Sequence, residues 1–316
     1  MIGRVKTSTT AQPALVRLAL VVVGHLVALG LVYYLTVHTA TGRELADASL
    51  RGAIRVRPLV TGTVEQILDV VSVASLLGTM AVVAVIALLR LARLEGLVAI
   101  GLLAGANVST WLLKNVLLTR PDLGLDEVAP PTLNSLPSGH ATAAFSAVAA
   151  LVFVLPRRWR QVTATVGAGY AALTGVATML AGWHRAADSV AAFLVVGAWG
   201  GVAAAVLVVT GSHTAGGLAR LAAPRPPSPR SGGRRPAKPR PTGWLVRVTL
   251  VAGALAAVLA AGLVLASLAP TNAVGSMVAF LAGTLFVVAG AAGVTVGILE
   301  VLRFVEDRRR FEPGDA

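Results

Sequence analysis

The sequence predicts an all-α, polytopic membrane helical bundle: a six-span core followed by a C-terminal two-span hairpin. Three observations lead there. The 316-residue chain is 56% hydrophobic and only 13% charged, where an ordinary soluble domain is roughly 45–50% apolar. Its mean hydropathy is +0.79. Its apolar residues gather in runs of about 18 or more, the length that crosses a bilayer as a helix.

The first span, 15–37, contains a run from Leu18 to Val37 free of Asp, Glu, Lys and Arg. That is longer than the roughly 7–15 residues of a signal-peptide core, so it is expected to stay as an anchor. Spans at 66–89 and 96–118 follow. The fourth, 140–155, is short: only Ala141 to Leu155 is clearly apolar, so its outer end should lie below the membrane surface. Spans at 161–182 and 188–210 complete a core assigned to residues 1–211. Residues 212–243 are rich in Pro, Arg, Gly and Ser, the composition of a disordered linker. Such a linker is a tether, with contact to anionic lipid headgroups as an alternative. Spans at 245–268 and 275–302 form the hairpin of 244–303, and 304–316 is a tail.

Orientation follows from the basic residues. With the N-terminus inside and eight spans, inner segments hold 20 of the 27 Lys and Arg, and the first outer loop (Arg43, Arg51, Arg55, Arg57) is the one discordant region. Both termini, the linker and the tail are therefore expected in the cytoplasm. The net charge of +13 is spread over inner loops as topology demands, which argues against nucleic acid as a partner. With no cysteine, disulfide and thiolate chemistry are excluded.

Three polar islands fall on the outer side. The first, "KNVLLTRPDL" (114–123), carries Lys114 and Arg120. Cations at a helix end can simply snorkel to water. Pro121 disfavours helical geometry at Arg120, however, so the chain leaves the helix there and the two cations can make an anion site. The second is "NSLPSGHATAAF" (134–145). Ser138 can cap a helix that Pro137 starts; the same helix start can offer Ser138 and the Gly139 amide as donors to an oxyanion. Capping leaves His140 unexplained. The third, "GWHRAADS", places His184 and Asp188 four residues apart, one helix face at that spacing. The carboxylate can then accept from Nδ1 and leave Nε2 as a nucleophile. The tiny turn "PRRWR" makes spans four and five antiparallel neighbours, bringing His140 and His184 to one end of the bundle.

These residues resemble the type 2 phosphatidic acid phosphatase superfamily of membrane lipid phosphatases, related in fold to the vanadium haloperoxidases. The resemblance rests on Lys114…Arg120-Pro121, Pro137-Ser138-Gly139-His140 and His184-Arg185-Ala186-Ala187-Asp188, and spans roughly residues 60–211. Two departures stand out. Five residues separate Lys114 from Arg120 where the family commonly has six. The third motif's Ser-Arg pair, due at positions 177 and 178, is Ala177 and Thr178, which leaves Arg185 as a candidate replacement cation.

The resemblance implies metal-free phosphoryl transfer through a phosphohistidine. His184 attacks, Asp188 holds its tautomer, and His140 is general acid to the leaving oxygen. Lys114, Arg120, Ser138, Gly139 and Arg185 hold the nonbridging oxygens. One neutral and one protonated imidazole imply a bell-shaped rate profile. No cofactor is expected, and no metal, since Asp122, Asp126, Glu127 and Asp188 show no two-metal spacing. A site at a bundle mouth suits a lipid phosphate or pyrophosphate whose tails stay among membrane lipids. The site is expected to face outward from the plasma membrane, in cell-envelope lipid metabolism. The alternative is a weakened lipid-phosphate-binding or transport protein; a phosphotransferase is a third reading. A homo-oligomer is compatible with the sequence but not indicated by it. His25 reads as an interhelical hydrogen-bonding residue, Asp69 as intramembrane or interfacial, and Gly293 with Gly297 as a small-residue face for hairpin packing.

Overall fold

The computed structural model describes residues 12–71, 73–128, 134–210, 243–267 and 272–311. The linker expected over 212–243 lies outside them apart from Gly243, as does the end of the tail. The described residues form ten α-helices and no strand: α1 (Gln12–Val37), α2 (Ala40–Val56), α3 (Thr61–Val70), α4 (Val73–Leu89), α5 (Arg93–Leu112), α6 (Gly139–Val154), α7 (Arg157–Leu180), α8 (Ala186–Val209), α9 (Trp244–Ser267) and α10 (Ala273–Phe311). The fold is the all-α polytopic bundle that the composition predicts.

Six helices are long and apolar enough to cross a membrane, and a seventh crossing results if α3 and α4, bent by 45°, are one span. The fourth expected span is α6, which has 16 residues. At 1.5 Å per residue it rises about 24 Å, less than the roughly 30 Å of hydrocarbon. It is therefore shorter than the hydrocarbon layer it would have to cross.

Helix α8 is the hub, packing against α1, α5, α6 and α10. Between lipid-facing helices apolar burial supplies little net drive, so close packing and polar pairs do more of the work. Two such pairs join α5 to α6: Thr110 Oγ1 to Thr142 Oγ1 at 2.9 Å, and Asn107 Nδ2 to Ser146 Oγ at 3.0 Å. Phe145 and Phe193 meet edge to face, with centroids 5.0 Å apart, between α6 and α8. At the opposite end from the islands, Arg157 and Arg160 both pair with Glu306, and Arg90 donates to the Val154 carbonyl. Helix α10 is thereby pinned to the start of α7.

Helix α10 also runs through the bundle. A Cβ at Gly283 would lie 2.3 Å from Ser49 Oγ and 3.1 Å from Ala186 Cβ, so α10 touches α2 and the first turn of α8 at once. Gly293 and Gly297 do not serve the hairpin. Nothing lies within 4 Å of their Cβ positions, and they line an open groove with His25 between α1 and α10. Within the α9–α10 contact, Gly253 packs against Ala292. His25 bonds within its own helix, Nδ1 to the Val21 carbonyl at 2.8 Å, instead of across to another. Asp69 is exposed on α3, ahead of the bend.

Helix α2 is the element that hydropathy does not reveal. It is amphipathic, capped by Thr39, whose Oγ1 accepts from the Gly42 amide at 3.1 Å. Its buried face carries Arg43, Asp47, Ser49 and Leu50. The discordant basic loop is therefore mostly this helix, with its first arginine turned inward.

Candidate functional site

Helix α5 does not end in ordinary α geometry. Residues Leu113–Leu117 form a π turn closed by the Leu118 amide on the Leu113 carbonyl at 2.9 Å. Such turns recur at functional sites. Lys114 sits on it, half-buried, and the one-residue shortfall before Arg120 falls within this segment. The side-chain amide of Asn134 donates to the carbonyls of Lys114 (3.2 Å) and Leu136 (3.0 Å), tying the first island to the second.

The second island enters α6 through Ser138, in extended geometry at φ −72°, ψ 121°. Its hydroxyl oxygen accepts from the Ala141 amide at 3.3 Å, the expected cap. Its own amide donates to the Asp188 carbonyl at 2.9 Å. That bond joins the second island to the third. It also engages the Ser138 amide, leaving the hydroxyl proton and the amides of Gly139 and His140 as the donors at this helix start. Gly139 is exposed, and no atom of the described residues lies within 4 Å of its Cβ position, so among them the N-terminus of α6 opens onto free space. His140 follows, partly exposed, its ring 5.4 Å from that of Trp183, within Coulombic reach of His184 and Lys114.

The third island is built by a helix C-cap. Gly182 adopts φ +80°; its amide bonds the Met179 carbonyl at 2.9 Å while the Trp183 amide bonds that of Thr178 at 3.0 Å. These are the paired bonds of a Schellman motif, which wants glycine at that position. The His184 amide also reaches the Thr178 carbonyl, at 3.3 Å. Thr178, where the resemblance expects an arginine, is fully buried and serves as the anchor of this turn. His184 and Asp188 do meet, Nδ1 to Oδ2 at 3.1 Å, with side chains 7% and 4% exposed. The geometry differs from a shared helix face, because His184 precedes α8 and Asp188 lies in its first turn. The same Oδ2 accepts from the Arg185 amide at 3.0 Å, so the carboxylate caps α8 and orients the imidazole together.

Beside this pair lies a buried network of three guanidiniums and two carboxylates. Glu127 Oε1 accepts from Arg43 Nη1 at 2.6 Å. Its Oε2 accepts from Arg120 Nε (3.1 Å) and Nη2 (2.7 Å) and lies 3.6 Å from Arg185 Nη2. Asp47 Oδ1 accepts from Arg185 Nε at 2.6 Å, and its Oδ2 from the Val128 amide at 3.1 Å. Burial raises the Glu127 carboxyl, but the hydrogen bonds from Arg120 and Arg43 outweigh it and hold the group below its ordinary value. Burial, followed by the neighbouring Arg185 charge, pulls Arg120 below the ordinary arginine value despite Glu127.

The structure thus gathers Lys114, Ser138, Gly139, His140, His184 and Asp188 at one end of the bundle, with Arg120 and Arg185 close by but already facing carboxylates. Arg43 and Asp47 were missed by sequence reasoning, and Glu127 was weighed only as a metal carboxylate. The available signal was the basic loop itself: Thr39 followed by Arg43 and Asp47 at helical spacing.

A sequence model of the PAP2 superfamily matches residues 74–211. That segment contains all three islands; α2, with Arg43 and Asp47, lies outside it. No curated protein matches the chain, and no solved structure does.

Proposed function

Because residues 74–211 make the chain a member of the PAP2 superfamily, whose chemistry is the hydrolysis of phosphate esters, and because its apolar helices make it a multi-pass membrane protein, we propose that it hydrolyses a lipid phosphate monoester or pyrophosphate. The reaction proceeds without metal, through a phosphohistidine on His184. The observation that carries this reading is the bond from His184 Nδ1 to Asp188 Oδ2 at 3.1 Å, with the α6 N-terminus tied to the same residue by the Ser138 amide.

With Nδ1 committed to Asp188, the lone pair of Nε2 is the nucleophile. It attacks phosphorus in line as the P–O bond to the leaving alkoxide or phosphate breaks. Asp188 then faces the imidazolium that forms, as the acid of a catalytic triad does. His140, protonated, delivers its proton to the leaving oxygen and as a neutral base takes one from the water that hydrolyses the intermediate. Lys114, Arg120, Arg185, the Ser138 hydroxyl and the Gly139 amide hold the nonbridging oxygens, preorganised where negative charge gathers. The short α6 supports a lipid substrate: its N-terminus meets a headgroup at the bundle rim while the tails remain in the bilayer. Basic-residue placement supports cytoplasmic termini and a site open to the outer face of the plasma membrane. The Pro-, Arg-, Gly- and Ser-rich composition of 212–243 supports reading 1–211 as a catalytic core and 244–303 as a hairpin joined through a linker, its second helix packing back on that core.

The test is phosphate release from a panel of lipid phosphates and pyrophosphates by the full chain in detergent with excess chelator. Wild type turns over at least one of them, and His184→Ala loses about 10³-fold or more. Turnover that needs Mg²⁺, or that survives His184→Ala, contradicts the reading. A second reading, a lipid-phosphate binder without turnover, is favoured by the absent arginine at Thr178 and the pairing of Arg120 with Glu127. In that case no substrate is turned over and His184→Ala leaves lipid affinity intact.

A further inference from the structure

The buried network beside the histidines holds an anion already, and it is the chain's own. All three nitrogens of Arg43 are engaged: Nε donates to the Val37 carbonyl at 2.7 Å and Nη2 to that of Pro121. What remains, Nη1, holds Glu127 Oε1. Arg43 is therefore an anchor for Glu127 and not a ligand in waiting. The other oxygen is placed differently. Two donors of Arg120 converge on Oε2, and Arg185 Nη2, buried and without a hydrogen-bond acceptor among the described residues, stops 3.6 Å short of it. Arg185 is only 3% exposed, so it is shielded from bulk water. A guanidinium fork takes a carboxylate or a phosphoryl group in the same geometry. An oxygen at the position of Oε2 meets the donors that one oxygen of a phosphoryl group would need.

We propose that Glu127 is a built-in competitor for the substrate phosphate and sets the site's specificity. Resting on the reading of the site given above, the proposal is that a phosphoryl group displaces Oε2 from Arg120 and supplies the acceptor that Arg185 lacks. Oε1 stays on Arg43 throughout. Residues 121–128 form neither helix nor strand, so the carboxylate can swing without unravelling an element. Displacing an ionised carboxylate favours an anion of higher charge. A terminal phosphate, carrying up to two charges, competes; a phosphodiester headgroup, with one, does not. In a bilayer made largely of phosphodiester lipids, that threshold keeps the site from filling with bulk lipid.

The test uses the full chain in detergent and reads binding rather than turnover. Glu127→Gln is expected to lower the Kd for inorganic phosphate at least tenfold and to let phosphatidylglycerol compete for the site, which it does not do in wild type. An unchanged or raised Kd overturns the proposal and makes Glu127 a structural partner only. Should the variant not fold, the wild-type protein decides. On adding phosphate, amide exchange is expected to slow at 136–142 and 183–188 and to speed up at 122–128 as Oε2 of Glu127 leaves Arg120. Slower exchange over 122–128 overturns the proposal. Failure of the hydrolase reading is distinguishable, since it appears as absent turnover whatever the phosphate affinity.

Discussion

Glu127 is held by Arg43 on one oxygen and Arg120 on the other, and its carboxyl lies below its ordinary value because those bonds outweigh burial. The sign of the consequence is fixed. A group depressed in the folded state stabilises the fold above its unfolded value, about 4.3 for Glu, and loses that contribution as pH falls through the lower folded value. The thermal midpoint of wild type should therefore fall between about pH 5 and pH 3 by more than that of Glu127→Gln; equal slopes would contradict the assignment. Of the residues at this scale, Lys114, His140, His184 and Asp188 were legible because each lies in a short motif whose chemistry is local. Arg43 and Asp47 were not, since their partners Glu127 and Arg185 are far along the chain and only the tertiary fold brings them together.

The turn between α7 and α8 does for His184 what no single residue could. A helix that ends on the Thr178 carbonyl, with Gly182 at φ +80°, delivers the imidazole to the first turn of the next helix. Any other L-residue at Gly182 carries a left-handed conformation costing about 1–2 kcal/mol. Sterically the site tolerates a Cβ, whose nearest neighbour would be Ile54 at 3.6 Å. Gly182→Ala should therefore lower the thermal midpoint by the equivalent of about 1–2 kcal/mol and reduce turnover with little change in KM; an unaltered midpoint would show the turn to be unstrained. The apolar elements were legible in the sequence because lipid demands long apolar runs. The π turn at Leu113–Leu117, the bend between α3 and α4 and the amphipathic α2 were not. None of them alters mean hydropathy, and each is settled by packing against neighbours.

At the scale of the molecule, the bundle closes around α8, and α10 links the island end, through Gly283 against Ser49 and Ala186, to the opposite end, through Glu306 with Arg157 and Arg160. The sequence suggested a core with an appended hairpin because the linker interrupts it; contacts between distant helices leave no mark on composition. Sidedness is open to a direct check, helped by a chain without cysteine. A thiol reagent that does not cross membranes should label Asp122→Cys in intact cells and Ser231→Cys only after permeabilisation. The reverse pattern would turn the site inward.

The proposed hydrolysis requires covalent phosphorylation of one imidazole, and a quench experiment reads that directly. The full chain is mixed with lipid phosphate labelled in its phosphoryl group, with excess chelator, and stopped within a single turnover. An acid-labile, base-stable label on the peptide containing His184, absent from His184→Ala, is the predicted result. Substrate consumed with no label on that peptide in wild type, or a label still acquired by His184→Ala, would contradict it.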